Sequence, residues 1–288
     1  MSRKSNWSIL NSGAQSIYRV AAFSFCALAL GLLIAAPSIA GTIDYEGPMV
    51  GPDGQTGWMS DSVWFLGVSE SNTDTVERFG EPTGVGSDAI DFTPQNFVAD
   101  IQSPGASTST IVDSVLGFTV LAKPNNSIDD LSFAERGFTQ LVGLSADEAF
   151  SSVAAHFIID VVEIDGMPVG GIEYNIEADM TFTPSEGDFE LGVDGTTSYN
   201  TIWYGELMVD IKQHLDEQGI NYSVGATKIN VLLENTLTAA ASGGGSALIN
   251  KQDFDGVTIT VNVPEPSTFL LAGMALVGLA GVRRYARR

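Results

Sequence analysis

Residues 155–184, AHFIIDVVEIDGMPVGGIEYNIEADMTFTP, decide the fold. Two runs rich in β-branched and aromatic residues flank Asp165-Gly166, and a glycine there tolerates the positive φ that a tight hairpin turn demands. The stretch predicts an antiparallel hairpin. Outward from it the same period-two alternation recurs: SDAIDFTP (87–94) sets Ala89 and Ile90 among acids, TIVDSVLGFTVLA (110–122) is a long β-prone run, and DGVTITVNV (255–263) alternates Val257, Ile259, Val261 and Val263. SPGASTST (103–110) and AAASGGGSALI (239–249) lack periodicity and read as loops inside one domain, because strand signals resume on either side.

One helix competes with the strands. In WYGELMVDIKQHLDEQG (203–219) Trp203, Leu207, Ile211 and Leu215 recur every four residues and Gly219 supplies a stop, which predicts a helix from about Gly205 to Gln218. The expected fold is mainly β: a two-layer antiparallel sandwich, jelly-roll-like or immunoglobulin-like, with one short helix. Hydrophobic helices are expected to flank it at both chain ends.

At 288 residues the chain suits one large β domain. Residues 41–263 hold 34 of the 35 acidic residues but six of the 13 basic ones, so the body is more acidic than the whole chain, whose formal net charge is −22. Such a surface repels polyanions, and nucleic acid is excluded as a partner. The single cysteine, Cys26, lies in the apolar N-terminal run, so a chain trimmed after that run has neither a disulfide nor a thiol nucleophile.

The N-terminal stretch 3–41 has a basic leader, an apolar run from Val20 to Ala36, a break at Pro37, and small residues at Ser38 and Ala40. That is the order of a secretory signal peptide, and signal peptidase is expected to cut between Ala40 and Gly41. At the other end an apolar segment of 14 residues, Phe269 to Val282, precedes Arg283, Arg284, Arg287 and Arg288. As a helix it covers about 21 Å against a hydrocarbon core of about 30 Å, a marginal span that suits a temporary handle. The arginines hold the tail on the cytoplasmic side, leaving everything before it outside.

Just before that segment stand Pro264, Glu265 and Pro266, whose prolines stiffen the chain and present Glu265 on an extended stretch outside the bilayer. A Pro-Glu-Pro tripeptide, a short hydrophobic helix and an arginine-rich end resemble the PEP-CTERM sorting signal, and all three parts match. The resemblance implies export in a Gram-negative bacterium, recognition and processing of the tail by an exosortase, and association with exopolysaccharide or biofilm matrix. The expected division is a signal peptide at 1–40, an acidic β-sandwich ectodomain at 41–263 and a sorting signal at 264–288, in a protein of the cell envelope or exterior held transiently in the inner membrane.

Chemistry-bearing residues in the body are few. The only histidines, His156 and His214, read as a strand residue and a solvated helix residue. GLSAD around Ser145 lacks the second glycine of a nucleophile elbow. A glycosidase needs only two placed carboxylates, but no spacing singles out a pair. No cofactor is expected apart from calcium, which takes carboxylate oxygens. Its weak candidate ligands are Asp188, Glu190 and Asp194 in EGDFELGVDGT and Asp253 with Asp255 in QDFDG. Of Trp58, Trp64 and Trp203, the turn-flanked Trp58 is the candidate for stacking on a sugar ring, and the other two read as core. The expected role is therefore non-catalytic, structural or adhesive in exopolysaccharide, with a carbohydrate- or calcium-binding surface module as the alternative and a secreted hydrolase as a distant third.

Overall fold

The computed structural model describes residues 41–263 apart from 87, 145–147, 171–173, 192–196 and 253–256. The segments expected to form the signal peptide, the sorting tail and the two flanking hydrophobic helices lie outside these residues. In chain order the first strands are Gly41–Asp44 (β1), Met49–Val50 (β2), Thr56–Met59 (β3), Val63–Asn72 (β4), Thr83–Val85 (β5), Ala89–Phe92 (β6) and Val98–Gln102 (β7). Three long strands follow, Thr108–Ala122 (β8), Asp130–Val142 (β9) and Ala149–Ile164 (β10), then Met167–Pro168 (β11), Asn175–Asp179 (β12), Thr181–Thr183 (β13) and Asp188–Glu190 (β14). The chain continues through Ser198–Asp210 (β15), the helix Ile211–Glu217 (α1), Ala226–Ala241 (β16), Ser246–Lys251 (β17) and Val257–Asn262 (β18).

These strands form two antiparallel sheets. One runs β11-β10-β16-β8-β4-β3-β2, with β1 on β4 and with β12 and β14 on β10; the other runs β13-β15-β9-β18-β6-β5, with β17 joining β9 to β7. Alternation explains why they face each other. Along β10, Val153, Ala155, Phe157, Ile159 and Val161 are buried, and along β9 Leu131, Phe133 and Leu141 are. Phe133 and Phe157, from opposite sheets, bring their ring centroids within 4.3 Å. Burying each such ring stabilises the fold by about 1.5–3 kcal/mol. The two sheets thus share one core, as a sandwich requires.

The hairpin forms as its sequence predicts. Asp165 and Gly166 both take positive φ, 54° and 74°, and close a two-residue turn that pairs Ile164 with Met167. The returning chain pairs again as β12, His156 opposite Asp179. It then crosses to the other sheet, where β13 joins β15, and comes back as β14 on β10. This segment laces one side of the sandwich shut. Strands β17 and β18 run end to end along one edge of β9, Lys251 opposite Gly137 and Val257 opposite Glu135.

The predicted helix at 205–218 is corrected. Residues 198–210 are strand, paired with β9 throughout, and only Ile211–Glu217 is helical. A spacing of four residues is close to one helical turn and is also two full strand repeats, so the pattern from Trp203 fits both. The surroundings of β15 settle the matter: Trp203 and Val209 are buried while Tyr204 and Met208 are exposed, the alternation of a strand. Helix α1 starts where the Asp210 side chain accepts a hydrogen bond from the Gln213 N–H at 2.6 Å, a standard N-cap.

Candidate functional site

Among the described residues, those singled out by sequence do not converge. His156 Nδ1 lies 2.8 Å from Asp179 Oδ1, its exposed cross-strand neighbour, and His214 sits apart on α1. Asp188 and Glu190 occupy alternate positions of β14 around the buried Phe189, and desolvation, then the like charge of Glu186, pushes the Asp188 carboxyl up. Asp194, Asp253, Asp255 and Ser145 lie outside the described residues. Among the described residues no three of His, Cys, Asp or Glu gather as a metal centre would require. Trp58 is 8% exposed and Trp203 fully buried, so neither offers a face for stacking; Trp64 is half-buried, with Lys123 Nζ 6.0 Å from its ring centroid.

A shallow depression of about 510 Å3 lies on the outer face of β7, β17 and β9. Register places Asp100, Leu248 and Gln140 in one row across it, and Gln102, Ser246 and Val142 in the next. Carboxylate, amide and hydroxyl groups there can exchange hydrogen bonds with sugar hydroxyls.

The interior holds more organised chemistry. Glu70 is fully buried. Its Oε1 accepts from Ser114 Oγ at 2.6 Å and Asn72 Nδ2 at 3.0 Å, its Oε2 from Tyr45 OH at 2.7 Å, and the backbone N–H groups of Arg78 and Phe79 complete the cage. Burial, then the hydrogen bond and charge of Glu70, holds the Tyr45 phenol well above the usual tyrosine value.

One strand over, Asn235 pairs in register with Ser114 and reaches toward the opposite sheet. There its Nδ2 donates to Glu135 Oε1. The same oxygen lies 2.6 Å from Lys251 Nζ, and both charged side chains are wholly inaccessible. Phe97 and Phe79 flank the ammonium, with ring centroids 5.0 and 5.5 Å from Nζ. Burial pushes Lys251 down to about 8, against the pull of Glu135 in the other direction. Sequence reasoning missed this group. Its signal was a polar residue standing at an inward position of an apolar alternation: Glu135 between Phe133 and Gly137, Asn235 between Leu233 and Leu237, Lys251 after Ala247 and Ile249.

Residues 262–284 match the model of the PEP-CTERM protein-sorting motif. The chain carries a PEP-CTERM sorting tail. Pro264, Glu265, Pro266, Arg283 and Arg284 fall inside the matched stretch, and Arg287 and Arg288 follow it. The PEP-CTERM motif is the tag that exosortase recognises, and it implies export and association with the envelope. No helix among the described residues is long and apolar enough to cross a membrane.

No curated protein matches the chain. Among solved structures, one of TmCBM61 in complex with beta-1,4-galactotriose aligns at 10% identity over 57% of this chain and 88% of its own, with a TM-score of 0.14. A structure of the infectious bursal disease virus Gt strain aligns at 12% identity over 82% of this chain and 65% of its own, with a TM-score of 0.10.

Proposed function

We propose that this chain is an exported protein of the envelope or extracellular matrix, presented to exosortase by its PEP-CTERM tail, whose acidic sandwich has a non-catalytic structural or adhesive role in exopolysaccharide. The observation that carries the reading is the sorting motif at residues 262–284. Signal peptidase releases the body after Ala40, and the segment from Phe269 to Val282 holds it in the inner membrane until the tail is processed. Mass spectrometry of both ends of the protein from its host tests this directly. The expected result is an N-terminus at Gly41 and a C-terminus altered at or beyond Pro264; the full chain with both ends intact in the cytosol overturns the proposal.

A carbohydrate-binding role is a second reading, supported by the polar depression around Gln140, Asp100 and Ser246. A rise in Tm with the host's own polysaccharide, lost in Gln140→Ala, is expected on that reading. An unchanged Tm at saturating polysaccharide excludes it. The same melt with calcium chloride checks the acids of β14, Asp188 and Glu190.

A further inference from the structure

Three buried polar groups meet where the two sheets face each other: Glu135 of β9, Lys251 of β17 and Asn235 of β16, exposed by 2%, 4% and 1%. An ordinary buried ion pair explains part of this arrangement. It does not explain why the Asn235 amide and the Lys251 ammonium share one carboxylate oxygen. One hydrogen bond and one ion-pair contact to the same oxygen hold the two nitrogens within reach of each other. Among the described residues, Asn235 Oδ1 and Glu135 Oε2 have no hydrogen-bond partner, although buried polar atoms nearly always find one.

We infer that Lys251 and Asn235 become joined by an amide bond between their side chains, with Glu135 moving the protons. The Lys251 ammonium passes a proton to the Glu135 carboxylate, leaving a neutral amine and a carboxylic acid. Nζ attacks Asn235 Cγ while the acid protonates the unpartnered Oδ1. The tetrahedral centre then collapses: a second proton leaves Nζ through Glu135 to Nδ2, the Cγ–Nδ2 bond breaks as Oδ1 returns its proton to the Glu135 carboxylate and re-forms the carbonyl, and ammonia departs, leaving Glu135 protonated. One amide is exchanged for another and no oxidant, metal or activated donor is consumed.

The surroundings suit each step. The depressed affinity of Lys251 for its proton lowers the cost of forming the amine. Phe79 and Phe97 line the site with carbon, so water does not compete for the acyl centre. Holding nucleophile and acyl group against one carboxylate supplies the proximity that such a reaction lacks in solution. The product ties β17 to β16 and thereby one sheet to the other. Residues 41–263 contain no cysteine, so a disulfide cannot serve that purpose.

The test is peptide mass spectrometry of the folded, full-chain protein after chymotrypsin, which cuts between the two residues at Leu237 or Leu248. The expected result is a branched species joining the Asn235 and Lys251 peptides, lighter than their sum by one ammonia. In Lys251→Arg and Asn235→Ala the branched species disappears. In Glu135→Gln it is reduced at least tenfold, although nucleophile and amide are both present. Separate linear peptides from the folded wild type overturn the inference whatever the variants do, and an undiminished branch in Glu135→Gln overturns the role of Glu135.

Discussion

Gly137 and Trp203 face each other directly across β9 and β15, and a Cβ at residue 137 would fall 2.2 Å from Trp203 Cζ2 and 2.0 Å from the Asn250 carbonyl oxygen. The indole occupies the space that any other residue at 137 would need. Gly137→Ala is expected to destabilise the domain by about 1–3 kcal/mol or more, because neither a fully buried indole nor a strand carbonyl can yield. Gly86→Ala, at an open site, changes stability by less than about 0.5 kcal/mol. Urea denaturation midpoints of the two variants check this, with equal m-values showing that the denatured states are comparable.

The phenol of Tyr45 is one of the donors that keep a buried carboxylate, Glu70, in place. Tyr45→Phe removes that donor and leaves the ring. A hydrogen bond to a charged group contributes about 1.5–3 kcal/mol, so Tm should fall by several degrees in a scan at neutral pH. A variant as stable as wild type would mean that the remaining donors saturate Glu70.

Asp165 gives the fold an acid-sensitive contact. Its carboxylate accepts backbone N–H groups from Gly225 at 3.0 Å, Ser223 at 2.8 Å and Val224 at 2.7 Å, and these bonds hold its pKa below the ordinary 3.8. A native pKa below the unfolded one contributes stability that is fully present above the unfolded value and is lost as pH falls through the native value. Asp165→Asn keeps a residue tolerant of positive φ and cannot ionise. The stability advantage of wild type over this variant is expected to be constant near neutrality and to shrink below pH 3.8, as denaturation at a series of pH values would report.

Asp210 ends β15 and begins α1 with a single side-chain contact to Gln213. Asp210→Ala is expected to cost about 1 kcal/mol and to speed amide exchange at Gln213, with little change at the buried Trp203. Hydrogen exchange followed by mass spectrometry distinguishes this local fraying from global loss.

Much of the sandwich was legible because a strand with one buried face writes its alternation into the chain. The runs at 110–122 and 255–263 became β8 and β18, and Asp165-Gly166 became the turn. Where the reading failed, at 203–210, the spacing itself was shared by helix and strand, and pairing with β9 chose between them. The acids of β14, Asp188 and Glu190, stand on either side of the buried Phe189, and a sequence does not show which other oxygens lie near them. The interior group was the opposite case. Glu135, Asn235 and Lys251 each looked like one polar residue in an apolar strand, and nothing local linked them.

From the sequence alone came the PEP-CTERM sorting motif, the class of fold and the absence of cysteine from residues 41–263, all of which depend on residues adjacent in the chain. The tertiary structure alone decided which polar side chains share the interior. Sheet register and the stacking of β16 on β9 bring Asn235 to Glu135 across a hundred residues of chain. Such a meeting depends on non-local pairing, and no window along the sequence contains it.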